Sequence, residues 1–386
     1  MHISDMAAIT IQKVESSKDL DRFIKFSYKL YKDHPYYVPD LYIDIKNTLG
    51  PKNAALEFCE RQAFLAWKDG EIVGRVVAII NRKANETWNI KAVRFGWIDF
   101  VDDREVSRAL LDAVTEWGRE RGMTEIQGPL GFTDMDPEGM LYEGFDQLGT
   151  MATAYNYPYY PEHMKAMGYE KDADWVEMLV QIPRETGVPE RLSRVANLVQ
   201  EKFGLKIKKY KTTKEIARNY GHAIFEVINE SFKPLFGYSE LSQRQIDQYV
   251  KMYLGVVDPK LVSLITDKDD HLIGTGICMP SMSRALQKCG GHLFPFGWWH
   301  LLKALKWKHD KHLDMLLIAL LPEWQGKGVN ALFFKDLLPF FISEGYEWCE
   351  TAVELESNTK VQSQWVYFDT KIHKRRRCWK KSIPQT

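Results

Sequence analysis

Leu320-Leu321-Pro322-Glu323-Trp324-Gln325-Gly326-Lys327-Gly328-Val329-Asn330 is the segment on which the fold turns. An apolar run stops at Pro322, a polar loop with two glycines follows, and a helical apolar pattern runs over 329–343. A strand that hands over to a helix through such a loop can turn several backbone N–H groups toward one point. The helix N-terminus adds positive potential there, so the loop suits a diphosphate. Its spacing is neither the GxxxxGK[ST] of P-loops nor the GxGxxG dinucleotide fingerprint.

The surroundings of this segment occur twice. Residues 268–278 read KDDHLIGTGIC and residues 68–78 read KDGEIVGRVVA. Each is a polar turn between short apolar runs, with Gly274 and Gly74 in the same place. This is the pattern of a β-hairpin whose second strand is closely approached by another part of the chain. Ahead of the hairpins, Leu20, Phe23, Ile24, Ser27 and Tyr31, and then Ile216, Tyr220, Ile224, Val227 and Ile228, mark amphipathic helices. Ser16 or Ser17 can cap the first. After the hairpins, 95–103 (FGWIDFVDD) and 314–322 (DMLLIALLP) read as buried strands. They lead into helices over 106–121 and 329–343, closed by Gly122 and Gly345. The order β, α, β-hairpin, β, α, β, α, β appears in both halves, 8–181 and 207–386, with a helical connector over 182–206. An internal duplication is therefore expected.

With Gln325, Gly328 and Asn330 at its defined positions, the loop resembles the diphosphate loop [QR]-x-x-G-x-[GA] of the GNAT superfamily (GCN5-related N-acyltransferases). Asn330 stands where that pattern has Gly or Ala. The resemblance covers nearly all of 207–386 and, more weakly, 8–181. It implies an α/β (α+β) protein of two tandem GNAT-like domains. Each would be a twisted mixed, mostly antiparallel sheet flanked by helices and splayed between its fourth and fifth strands. It also implies acyl-CoA, acetyl or longer, as co-substrate. Ala319, Leu320 and Leu321 would border the pantetheine. Gln325, Gly326, Lys327, Gly328, Val329 and Asn330 would hold the diphosphate, with Asn358 at the entry of the next helix. The implied reaction moves an acyl group from CoA to an amine without a covalent enzyme intermediate and without a metal.

Alternation along 348–357, WCETAVELES, puts Glu350, Ala352, Glu354 and Glu356 on one strand face. Those carboxylates are candidate general bases, Glu356 foremost; a solvated strand face is the other reading. The resemblance also implies a tyrosine that protonates the leaving thiolate, and Tyr367 is the nearest candidate. In the first half, Asp102-Asp103-Arg104-Glu105-Val106-Ser107 occupies the place of the loop. Acidic residues cap a helix well but repel phosphate, so this half is expected not to bind CoA. Its next segment, 128–160, is long and rich in glycine, acid and aromatic residues, as functional loops are. Asp134, Asp136 and Glu143 with Tyr155, Tyr157 and Tyr159 are candidates for a cationic-amine pocket. Packing is the alternative, and a metal site a third.

The chain has 386 residues, which suggests two domains at roughly 150 residues each. Lys+Arg and Asp+Glu are 52 each, which excludes the basic excess of a general nucleic-acid binder. It also disfavours an aminoacyl transferase that grips tRNA. Aromatic residues reach 13%, explained by large aromatic cores or, more sharply, by a lipid-like ligand. Cys59, Cys278, Cys289, Cys349 and Cys378 form no CxxC pair. Neither a leader pattern over 1–10 nor an 18-residue apolar run is present, so a cytoplasmic protein is expected, with the inner membrane face as a possible place of work. That option comes from 294–311, where Trp298, Leu301, Leu302 and Leu305 form a helical stripe among Lys303, Lys306, Lys308 and Lys311. Such a helix lies on anionic lipid or packs on a sheet. The basic tail, 371–381, reads as a last strand with a solvated face, or as a help to CoA phosphates. Together these readings point to an acyl-CoA N-acyltransferase acting on a small or lipid amine, ceramide-type synthesis included. A non-catalytic ligand- or partner-binding protein on a degenerate scaffold is the alternative.

Overall fold

The computed structural model describes residues 8–307 and 309–384; Lys308 and the stretch before Ala8, both invoked above, lie outside them. The first half supplies strands β1 (Thr10–Lys13), β2 (Cys59–Lys68), β3 (Glu71–Asn81), β4 (Ala92–Phe100), β5 (Glu125–Gly128), β6 (Met140–Glu143) and β7 (Glu170–Gln181). The second supplies β8 (Lys206–Lys208), β9 (Val262–Thr266), β10 (Leu272–Pro280), β11 (His312–Leu320), β12 (Trp348–Glu350), β13 (Glu354–Leu355) and β14 (Thr370–Ser382). No described helix is long and apolar enough to cross a membrane.

Two compact units result, and they do not follow the boundaries 8–181 and 207–386. The first comprises residues up to Trp175, Leu286–Trp298 and the segment from Lys374 on; the second comprises Val176–Ala285 and Trp299–His373. The cause is strand pairing. Residues of β14 pair antiparallel with β5 (Trp379 opposite Gly128) and with β6 (Arg376 opposite Leu141), completing the first unit. The end of β7 pairs antiparallel with β12 (Val180 opposite Cys349), completing the second. The helix Glu190–Phe203, expected as a connector, is core of the second unit. Its Leu192, Ala196 and Val199 pack in one cluster with Val329, Leu332 and Phe333. Each such large apolar side chain, fully buried, contributes about 1.5–3 kcal/mol.

Within each unit the ladder has the same sense. In the first, β1-β2-β3-β4 is antiparallel and β4-β5 parallel. In the second, β8-β9-β10-β11 is antiparallel and β11-β12 parallel. The hairpin glycines match too. A Cβ on Gly74 would lie 2.7 Å from Leu110 and 3.2 Å from the Asp99 carbonyl; on Gly274, 2.8 Å from Leu320 and 3.2 Å from the Ala319 carbonyl. Both glycines thus admit the helix that follows the next strand, and Asp99 and Ala319 are equivalent positions. Asp69 and Gly70 have φ of 51° and 76°, as a two-residue hairpin turn of the primed kind demands. Ser16 with Asp19, and Thr212 with Glu215, form capping boxes at the helices Ser17–Leu30 and Thr213–Phe232.

In both units the parallel pair is brief. Ala92–Arg94 face Glu125–Gln127, and His312–Asp314 face Trp348–Glu350. Beyond those three pairs β4 and β11 continue, paired with β3 and β10 on their other sides.

Candidate functional site

In the second unit the end of β11, past its pairing with β12 and still paired with β10, carries Leu316, Leu317 and Ile318, all half-buried, while Ala319 is buried. Ile318 and Leu320 pack partly against the core of the unit. Leu321 donates its N–H to the Ile273 carbonyl, and Pro322–Trp324 make one 3-10 turn. Gly326 and Gly328 follow with φ of 72° and 79°, a region that favours glycine. A Cβ on Gly328 would also come within 3.1 Å of Val195, so the helix Glu190–Phe203 presses on the turn. Lys327 lies over the Trp324 and Phe203 rings, exposed.

The helix Asn330–Ser343 then starts with no side-chain cap; Val329, at its N-cap, is buried. The equivalent helix of the first unit, Arg104–Arg119, is capped by Asp103, whose carboxylate accepts the Glu105 N–H at 2.9 Å and pairs with Lys68. One helix end is therefore capped by the chain's own carboxylate, and the other has no side-chain cap. The fit has two departures. Asn330 is the first helical residue where a Gly or Ala is usual. The Leu320 carbonyl, expected to face pantetheine, already accepts from Gln325 Nε2 and Ser231 Oγ, each at 2.9 Å. Gln325 thus shapes the turn through its side chain.

The three glutamates do not share a strand face. After Glu350 the ladder stops, because Thr351 gives its N–H to the Met178 carbonyl and takes the Met178 N–H on its hydroxyl. Glu350 is buried against His373 at 3.1 Å. Glu354 is buried and accepts the Trp365 indole N–H on both oxygens, at 3.0 and 3.3 Å. Burial pushes its carboxyl up to about 7, with the indole bond pulling the other way. Glu356 is exposed. Tyr367 is half-buried under the Arg191 guanidinium, and Asn358 caps the short helix Thr359–Gln362 by accepting the Val361 N–H. A carboxyl raised to about 7 is in the range of a base at neutral pH. His373 was not singled out from sequence; it sits in the basic tail with no local signal of a partner.

The first unit holds a cavity of about 60 Å³ where β4 and β5 part. On its wall, Arg75 pairs with Asp99 at 2.6 Å, Tyr31 donates to Asp99 at 2.7 Å, and Tyr31 and Tyr160 share a hydrogen bond of 2.9 Å. None of these was legible as a site, since Arg75 and Asp99 lie inside apolar strands. The candidate amine pocket does not assemble as expected. Of its six residues only Tyr155 lines the cavity. Tyr157 and Tyr159 donate to the Leu30 and Phe100 carbonyls, Glu143 pairs with Arg375, and Asp136 accepts the Phe132 and Thr133 N–H groups in a turn. Asp134 lies beside it, pushed up to about 7 by burial. In the basic tail Lys374 and Arg376 are buried and donate to the Leu148 and Ala154 carbonyls, and Arg377 grips Asp174, while Lys371, Lys380 and Lys381 are exposed.

No family model matches the chain. It is 26% identical to Protein YghO of Escherichia coli (strain K12) over 373 residues, 95% of this chain and 94% of that protein. It is 27% identical to a bacterial ceramide synthase of Caulobacter vibrioides (strain NA1000 / CB15N) over 364 residues, 92% of each. Among solved structures, a tandem GNAT protein from the clavulanic acid biosynthesis pathway superposes with a TM-score of 0.58 at 11% identity, covering 98% of this chain and 100% of that one. A GCN5-related N-acetyltransferase from Sphaerobacter thermophilus does so with a TM-score of 0.51 at 13% identity, covering 98% and 96%. The duplicated ladders and these superpositions agree on the fold: the chain is built like the GCN5-related N-acetyltransferases in their tandem, two-domain form.

Proposed function

We propose that the protein is an acyl-CoA-dependent N-acyltransferase whose second unit holds the acyl donor. One observation carries this reading: the half-buried end of β11 runs directly into a glycine turn and an uncapped helix start. The apolar strand suits a pantetheine and acyl chain, and the turn suits a diphosphate. In the transfer, the amine loses a proton, a C–N bond forms as the thioester C–S bond breaks, and the thiolate leaves and takes up a proton. Glu354 serves as the base, because burial keeps its carboxyl near neutrality. The relative named as a ceramide synthase supports a long-chain amine acceptor and a long-chain donor.

The segment carrying Phe294 and Phe296, 80% and 73% exposed, supports work at a membrane surface. In the adjoining helix Gly297–Lys306, Gly297 is the one buried residue, while Trp298 and Trp299 are exposed beside Lys303 and Lys306. Leu301, Leu302 and Leu305 are half-buried, and the exposed tryptophans beside the lysines are what favours anionic lipid. The test is thiol release from acetyl-CoA and from a long-chain acyl-CoA, each with and without a long-chain primary amine. Amine-dependent release, faster with the long chain, is expected. No amine-dependent release from either donor defeats the reading and leaves a non-catalytic binder.

A further inference from the structure

We propose that the first unit carries a ligand site of its own, in the cavity where β4 and β5 part, for a small ammonium group with a hydroxyl or carbonyl oxygen beside it. The site is separate from the proposed acyl transfer; neither the turn at Gly326 and Gly328 nor Glu354 takes part in it.

Charge is the first argument. On the cavity wall Arg75 and Asp99 cancel in their ion pair. Asp40 remains, and its carboxylate receives no hydrogen bond among the described residues; burial raises it to about 6 and Arg75 opposes that rise. It is a half-buried acid on the cavity wall, mostly ionised at neutral pH, a natural partner for an ammonium.

Unmet donors are the second. The Trp97 indole Nε1 belongs to the wall and is buried without a hydrogen-bond partner; the Tyr37 hydroxyl, also buried there, has no hydrogen bond of normal geometry and only the Ser27 hydroxyl near it. Ser27, also in the lining, gives its own hydroxyl to the Ile24 carbonyl at 3.2 Å. Buried donors left unmade cost roughly 1–3 kcal/mol each, so native folds keep few of them. A ligand oxygen satisfies them. The cavity's 60 Å³ admits a head group of about four water-sized groups.

Rigidity is the third. Gln287 donates to the Pro35 and Tyr37 carbonyls at 2.9 Å each, Tyr42 donates its N–H to the Gly291 carbonyl, and Tyr28 donates to the Asp40 carbonyl. The loop bearing Tyr37 and Asp40 is thus held in place before any ligand arrives, which favours binding.

The test is an NMR titration of the full chain, labelled with 15N at its indoles, with 2-amino-1,3-propanediol; Trp97→Phe assigns the reporter signal. A saturable shift of the Trp97 indole is expected, with 1,3-propanediol binding about tenfold more weakly for want of the charge. Asp40→Asn is expected to weaken the amine by a similar factor. Tyr37→Phe is expected to weaken it about threefold without lowering the melting temperature, since no internal bond is lost. No saturable shift in the wild type, or equal binding of the uncharged diol, overturns the proposal. So does a lower melting temperature for Tyr37→Phe, which would reveal a structural partner for that hydroxyl.

Discussion

Glu354 shows how one buried side chain ties stability to chemistry. Its folded-state pKa is raised from 4.5 to about 7, so the folded protein holds a proton that the unfolded chain releases between those values. Its stabilising contribution is fully present below about pH 4.5 and is lost as pH rises through about 7. With Glu354 as the proposed base, activity is expected to run the opposite way, increasing as the carboxyl ionises. Glu354→Gln is expected to lower kcat by about 10²–10⁴ and to flatten the difference in stability across that window. Unchanged kcat in the variant would remove Glu354 as the base. The turn glycines offer a second contrast. Gly326→Ala meets only the left-handed backbone cost of roughly 1–2 kcal/mol, because nothing lies near its Cβ. Gly328→Ala adds a contact 3.1 Å from Val195 and is expected to cost more in urea unfolding. Equal costs would mean that the helix Glu190–Phe203 does not press on the turn.

At the level of elements, alternation and helical periodicity located the hairpins, the capped helices and the strand-loop-helix segment, because those depend on neighbours in sequence. The 348–357 strand was misjudged for a different reason. The alternation of WCETAVELES is sound, but the Thr351 hydroxyl takes a partner N–H that the ladder would otherwise use. Glu350, Glu354 and Glu356 then part company. Buried polar residues such as Arg75 and Asp99 are equally opaque in sequence, since each is explained only by the partner it meets. The segment with Phe294, Phe296 and Trp298 makes its own prediction. Replacing all three by Ser should abolish sedimentation with anionic vesicles and leave the melting temperature unchanged, as exposed side chains add little to the core. Retained sedimentation would move the membrane contact elsewhere.

For the whole molecule, the duplication was readable but the strand exchange was not. Any strand of suitable length can complete a sheet edge, and its partner is chosen by tertiary packing. Here β14 supplies the first unit with its pairing to β5 and β6 and with the anchors of Lys374, Arg376 and Arg377. A chain ended after Asp369 should therefore lose hydrogen-exchange protection in β4 and β5 and keep it in β9 and β10. The reverse pattern would contradict the assignment of the last strand to the first unit. Most direct of all is the melting curve of the intact protein with CoA, compared with that of Gly328→Asp, which puts a carboxylate where the diphosphate would rest. At about 100 times its dissociation constant CoA should stabilise the wild type by about 2.7 kcal/mol and the variant not at all. No stabilisation of the wild type, or the same gain in both proteins, would contradict a diphosphate site at this turn.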